Sequence, residues 1–378
     1  MGTNESEKYL SRRTFLKSAG ALILGASVLK SASRAEAADV EGARLMTPSG
    51  KPLRGLYPIL ETPFTPDDKL DTEALAAEVA FCNRGRLGGM IWPVFASSWS
   101  TLSDAERIEG AEAILAAGKG GSAAMAIAVQ NMAWDTASSV RYAKHAADHG
   151  ADAIVSIPPN NGWNVSDQTV IDYYKAIGMA TDLPLIVQTR GTISVDLMIQ
   201  LFQQVPTMKA TKDEVGNPLE RVTQLIQRTD NKLAVWAAGG GTGDSLLQEL
   251  PLGFMGLCPT PQYSDLLQQV MDLYWAGKKS EAFDMFGRVQ AFATIPGATG
   301  YMMVARGVFK ETTKSRQQPM EPEARAAGGG GEGRGRRGGR AGGAFSVGGQ
   351  AGAAGVTDAQ KQSIRDDIEE FLKPYMRA

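Results

Sequence analysis

The chain has 378 residues, 39 basic and 41 acidic side chains, a net charge of −2 and two cysteines. That length holds one large domain or two small ones, and the near-balanced charge carries no global nucleic-acid footprint. Two cysteines are too few for the disulfide framework of a small oxidised scaffold, so Cys82 and Cys258 are expected to be packed thiols.

The N-terminal stretch "SRRTFLKSAGALILGASVLKSASRAEAADV" has a paired Arg12-Arg13, an apolar run from Ala19 to Leu29 and a small-x-small site at Ala35-Glu36-Ala37. A charged lead, a short apolar run and such a site read as a secretory signal. The run is far shorter than the roughly 20 residues of a spanning helix. "SRRTFLK" resembles the twin-arginine motif of folded-protein export. The expectation is a Tat-type signal peptide over residues 1–37, a mature chain from near Ala38, a periplasmic or extracellular location, and no membrane attachment once the signal is removed.

From there apolar runs and helical spacing alternate. Runs at Gly55–Leu60, Gly88–Val94, Ala124–Val129, Asp152–Ile157, Pro184–Gln188, Met208–Lys212, Leu233–Ala238 and Phe254–Cys258 read as strands. Between them lie segments with helix signals: Asp71 as an N-cap, a capping box from Ser103 to Glu106, Gly150 as a C-cap, and a stop before Pro206. Eight strands alternating with helices predict an α/β fold, a (β/α)8 TIM barrel over residues 38–258. Residues 259–378 are expected to supply the last barrel helix and a C-terminal helical extension, with helices near Tyr263–Ala276, Ser280–Ala291 and Asp358–Leu372. Glycine and alanine dominate residues 326–355, with Arg334, Arg336, Arg337 and Arg340 among them. Such a segment buries too little apolar surface to offset its ordering entropy. It reads as a disordered surface loop, in preference to an RNA-binding tail.

In a TIM barrel the chemistry sits at the C-terminal ends of the strands. That face is expected to carry Glu61, Phe95-Ala96-Ser97-Ser98, Gln130-Asn131, Asn160-Asn161, Gln188-Thr189-Arg190, Lys212 and Gly239-Gly240-Gly241. Lys212, closing the sixth strand, is the candidate nucleophile.

Several stretches resemble the dihydrodipicolinate synthase/N-acetylneuraminate lyase family. These are "GLYPILETPFTPDDKLD", "STLSDAER", "HGADAIVSIPPN", "TDLPLIVQ", "KATKDEVG" and "GFMGLCPTP", in the family's order and spacing across residues 52 to 312. The resemblance implies a barrel whose sixth-strand lysine, here Lys212, forms a Schiff base with a 2-oxo acid. An amine is a poor nucleophile until desolvation favours its neutral form, and the iminium it forms is an electron sink for making or breaking a C–C bond.

The chain departs from the family where protons are handled. The Gly-Thr-Thr-Gly-Glu after strand two is replaced by Val94-Phe95-Ala96-Ser97-Ser98, and the tyrosine after strand five falls at Gln188 or, with a shifted loop, at Val187. A second tyrosine, after Pro-Pro on strand four, falls at Asn160 or Asn161. Glu61 is the first candidate for the missing acid–base group, followed by Asp213 and Glu214. Arg190 is the candidate partner for a substrate carboxylate, being able to bind it bidentately. Ser97, Ser98, Gln188, Asn160, Gly239 and Gly240 complete the expected substrate site. The reading is a Schiff-base lyase, aldolase or hydratase on a 2-oxo acid or sugar acid, working without a cofactor as a homo-oligomer. The alternatives are a periplasmic binding protein for a small carboxylated metabolite on the same barrel, and a barrel whose Lys212 is a structural relic.

His145 and His149 have the i, i+4 spacing of a metal pair. The sequence shows no third ligand, and their place at a helix C-terminus suits their partial charge, so no metal is expected. The glycines at 239–241 suit a substrate-lining loop better than a phosphate cradle. Trp92, Trp99 and Trp163 are expected near the mouth, as pocket lining or as packing.

Overall fold

The computed structural model describes residues 45–216, 218–316 and 355–377. The expected signal at 1–37 lies outside them, as does the glycine-rich stretch apart from Gly355. Among the described residues no helix is long and apolar enough to cross a membrane.

Eight parallel strands form the barrel: β1 Gly55–Leu56, β2 Gly89–Trp92, β3 Ala124–Ala128, β4 Ala153–Ser156, β5 Leu185–Gln188, β6 Met208–Asp213, β7 Ala234–Ala237 and β8 Gly256–Leu257. They are hydrogen-bonded in the order β1-β8-β7-β6-β5-β4-β3-β2. Closure between β1 and β2 comes from a parallel bridge, Ile59 to Ile91. The expected first strand ran to Leu60, but Pro58 has no N–H to give the ladder. Regular pairing therefore stops early, and Pro58 contributes only its carbonyl, which accepts from Ile91 N.

The helices follow in turn: α1 Thr72–Arg84, α2 Asp104–Ala117, α3 Thr136–Asp148, α4 Asp167–Gly178, α5 Val195–Gln204, α6 Pro218–Arg228, α7 Leu246–Glu249 and α8 Ser264–Trp275. Their starts are chemically marked. Asp71 accepts from Ala74 N at α1, and Ser103 and Glu106 form the reciprocal capping box at α2. The seventh helix is a single turn, because the glycine loop takes up the chain before it and Pro251 ends it. Beyond the barrel come α9 Lys279–Ala293, α10 Ala298–Ala305 and α11 Asp358–Asp367. The sequence reading lacked α10, a short apolar helix set between Gly297 and Gly307. The last helix ends its α-geometry at Asp367 and continues through a π-turn to Leu372.

Two apolar layers hold the barrel. Outward strand residues such as Met125, Ile127 and Leu185 pack against the helices, while an inner cluster fills the barrel. The inner cluster includes Ala124, Ala126, Ala128, Ala153, Ala210 and Ala234. Large side chains among these small ones fill the interior. Tyr57 and Trp236 stack with centroids 4.2 Å apart across the interior. A Cβ on Gly89 would meet the Tyr57 ring at 2.2 Å, and one on Gly256 would meet Trp236 at 2.5 Å, so these aromatics fit only against glycine backbone. Cys82 and Cys258 are both buried and unpaired, as their packed-thiol reading requires.

Candidate active site at the barrel mouth

Lys212 on β6 and Glu214, the residue just past the strand's end, lie on one side because successive residues of extended chain alternate faces. Lys212 Nζ is 3.1 Å from Glu214 Oε2. Asp213, between them, points the other way: its fully buried carboxylate takes a two-pronged ion pair from Arg221 on α6, at 2.8 and 2.9 Å. Of the two acids expected next to Lys212, Glu214 enters the mouth and Asp213 anchors a helix.

Strand β5 supplies the next groups. Gln188 pairs with Lys212 in the ladder register, and its Nε2 donates to Glu214 Oε1 at 2.7 Å. This register sets Gln188, in preference to Val187, beside Lys212. Thr189, expected on this face but given no role there, donates its N–H to the Lys212 carbonyl at 3.0 Å, and its hydroxyl accepts from Glu214 N at 2.9 Å. Arg190 reaches the same carboxylate, Nη1 to Oε1 at 3.7 Å. Its guanidinium lies 4.2 Å above the Phe95 ring. Phe95 in turn meets Trp99 edge-on at 6.4 Å, so the loop after β2 contributes an apolar wall where the family carries a Thr-Thr pair.

The electrostatics follow from this cluster. Burial raises the proton affinity of Glu214, but Lys212, Arg190 and the Gln188 hydrogen bond outweigh it and hold the carboxyl below its ordinary range. Two cations around one carboxylate leave one net positive charge. Gln188 Oε1, Arg190 Nε and Gln130 Oε1 are buried without a partner among the described residues. Unsatisfied polar atoms at the end of a barrel fit a polar ligand.

Glu61 is placed differently. It is buried after β1, where its carboxylate accepts from Gln262 Nε2 and its N–H donates to Glu78 Oε1 at 2.9 Å. Among the described residues no hydrogen bond or ion pair joins it to Lys212. Burial pushes its carboxyl up to about 7, with the Gln262 bond working against that rise.

The other expected contacts are engaged locally. The Ser97 hydroxyl donates to the Leu60 carbonyl at 2.6 Å and accepts from Val94 N at 3.2 Å, tying together the loops after β1 and β2. Ser98 adopts a left-handed conformation, and its carbonyl accepts from Thr101 Oγ1 at 2.9 Å. Asn160 is exposed in a turn, donating its side-chain amide to the Trp163 carbonyl. Gly239, at φ 74°, packs so closely that a Cβ would lie 2.6 Å from Leu257, while Gly240 is exposed at φ 55°. Trp92 is packing: its indole N–H donates to Thr62, and its ring leaves no room for a Cβ at Gly110 on α2. The structure thus gathers Lys212, Glu214, Gln188 and Arg190 into one cluster, and holds Ser97, Ser98, Asn160 and Gly239 by bonds or packing of their own.

Comparison with known proteins bears on this arrangement. A sequence model described as the Dihydrodipicolinate synthetase family matches residues 52–308. A 4-hydroxy-tetrahydrodipicolinate synthase of Methanosarcina mazei is 28% identical over 180 residues, covering 46% of this chain and 59% of that relative. The chain therefore spans little more than half the length of that relative. A 4-hydroxy-tetrahydrodipicolinate synthase of Chlorobium phaeovibrioides is 24% identical over 290 residues, 73% of this chain and 95% of the relative. Among solved structures, a putative dihydrodipicolinate synthetase from Pseudomonas aeruginosa superposes with a TM-score of 0.63 at 19% identity, covering 84% of this chain and 99% of its own. An N-acetylneuraminate lyase from Mycoplasma synoviae gives 0.59 at 19% identity, covering 71% and 93%. At these identities the structural likeness speaks for the fold.

Proposed function

Because the chain belongs to the dihydrodipicolinate synthetase family, we propose that it is a lyase that forms a Schiff base between Lys212 and a 2-oxo acid, and that Glu214 moves the protons. The observation that carries this reading is the cluster at the end of β6. Lys212 is 3.1 Å from Glu214, and Arg190 leaves one positive charge in excess for a substrate carboxylate.

The steps follow from those positions. The substrate carboxylate binds the guanidinium of Arg190, which draws Arg190 away from Glu214 and sets a second anion beside it. Both changes raise the proton affinity of Glu214, so it can take a proton from the Lys212 ammonium. The freed amine attacks the keto carbon, water leaves, and an iminium remains. In a 2-oxo acid hydroxylated two carbons beyond the keto group, a base then takes the hydroxyl proton. The C–C bond breaks with its electron pair flowing to the iminium, and an aldehyde departs. The resulting enamine is protonated at carbon and hydrolysed, returning Lys212. Glu214 serves in place of the family tyrosine, whose position holds the non-titrating Gln188.

A second reading has its own support. Gln188 and Arg190 both hold Glu214 in its charged form, which disfavours its acting as a base and favours a site that binds a carboxylated metabolite without turnover. Borohydride reduction with pyruvate and longer 2-oxo acids, followed by peptide mass spectrometry, separates the two. The lyase reading expects a stable adduct on Lys212 and none on Lys209, which is exposed on the same strand. Failure of every 2-oxo acid to label Lys212 between about pH 6 and 9 would leave the binding reading.

A further inference from the structure

The chain has two histidines in 378 residues, and both meet one carboxylate. His145 and His149 lie at the C-terminal end of α3, on the face of the barrel opposite the mouth. Glu112 comes from the neighbouring α2, the third ligand that the sequence did not show. His145 Nε2 is 3.0 Å from Glu112 Oε1, and His149 Nε2 is 3.6 Å from the same atom. One ligand atom from each residue falls within 4.8 Å of the others. We propose that Glu112, His145 and His149 bind a divalent transition-metal ion of the zinc class, tying α2 to α3.

Three features favour a metal over a charged hydrogen bond alone. The first is the spacing. Zinc–nitrogen and zinc–oxygen bonds of about 2.0–2.2 Å put tetrahedral ligand atoms roughly 3.4 Å apart, and the separations of 3.0 and 3.6 Å bracket that. The second is the tautomer. His149 Nδ1 lies 2.8 Å from the His145 carbonyl oxygen, which can only accept. The neutral ring therefore carries its proton on Nδ1 and presents the Nε2 lone pair toward Glu112, the backbone-fixed orientation typical of metal-bound histidine. The third is convergence: imidazoles 4.1 Å apart and tilted by 31° both turn Nε2 to the same Glu112 oxygen. Two imidazoles and a carboxylate suit zinc, copper or nickel better than calcium or magnesium. Glu112 and His149 also line a cavity of about 680 Å3, with Lys51, Lys119 and Asp152 among its other walls.

The test uses the untagged chain, stripped with a chelator and titrated with Zn2+ by calorimetry. One equivalent per chain is expected, with an affinity that falls at least tenfold in His145→Ala, His149→Ala and Glu112→Gln. Zn2+ should raise the Tm of the native chain and leave the double histidine variant unmoved. Should a variant fail to fold, the native chain still decides the matter, because Zn2+ should slow diethylpyrocarbonate modification of both histidines. Absence of saturable binding at micromolar Zn2+ would overturn the site. So would zinc binding that survives loss of both histidines, or a thiolate charge-transfer band with Co2+ in place of zinc.

Discussion

Glu214 and Lys212 face each other across 3.1 Å at the end of β6, while Asp213 between them turns outward to Arg221 on α6. One strand thus delivers an ion pair to the mouth and a helix anchor to the outer layer, by alternation alone. The two acids that follow Lys212 are therefore expected to fail in different ways when removed.

Glu214→Gln keeps a side chain of the same size but cannot carry the proton. Borohydride trapping on Lys212 is expected to slow, because no carboxylate is left to take the ammonium proton, and turnover on any substrate found is expected to fall by about 10²–10⁴, the usual cost of losing a general acid–base group. Glu61→Gln, whose carboxylate is bonded to Gln262, should leave turnover within a few-fold. Steady-state kinetics of the two variants would show it, and a larger loss in Glu61→Gln would move the acid–base role to Glu61.

Asp213→Ala removes one partner of a buried pair and strands Arg221. Breaking such a pair typically costs about 3–5 kcal/mol, to be read from urea unfolding midpoints. Trapping on Lys212 by the variant that remains folded should be unchanged. Wild-type stability in this variant would mean that Arg221 finds water at no cost.

Stability should also fall as the pH rises from mildly acidic to neutral. Burial pushes Glu61 up to about 7. Glu78 is also driven well above its ordinary value by its own burial and then by the Glu61 charge, against the hydrogen bond it accepts from the Glu61 backbone. A carboxyl raised in the native state holds more protons folded than unfolded. From its ordinary value of 4.5 up to about 7, Glu61 therefore makes stability decline, by at most about 1.4 kcal/mol per pH unit, and the decline from this group levels off above that. Glu78, raised in the same direction, adds to the fall. Thermal melts from pH 5 to 8 should show the decline in the native chain and a shallower one in Glu61→Gln. An unchanged slope in the variant would assign the effect to other groups.

We expect export through the twin-arginine route from Arg12-Arg13 and the site at Ala35-Glu36-Ala37. Changing both arginines to lysine should retain the precursor in the cytoplasm, whereas the native chain should be recovered outside it, beginning near Ala38. Fractionation with N-terminal sequencing reads both outcomes, and undiminished export of the variant would remove the twin-arginine assignment.

Local signals in the sequence determined much of the fold. Eight apolar runs alternating with capped helical segments set the barrel, since Asp71, Ser103 and Glu106 satisfy orphan N–H groups within a few residues of themselves. The place of Lys212 at a strand end needed nothing more than that alternation. The sequence reading kept both Asp213 and Glu214 as acid–base candidates, and the structure separates them, because residues one apart on extended chain point to opposite faces. What the sequence could not supply were relations between segments distant along the chain. The pairing of Gln188 with Lys212 depends on how β5 and β6 register, and the meeting of Glu112 with two histidines depends on how α2 and α3 pack. The burial of Glu61 against Glu78 and Gln262 required β1, α1 and the turn after β8 to converge. Charge and hydrogen-bond geometry act over a few ångströms in space, and separations of 17 to 201 residues are brought within that reach only by the closed barrel.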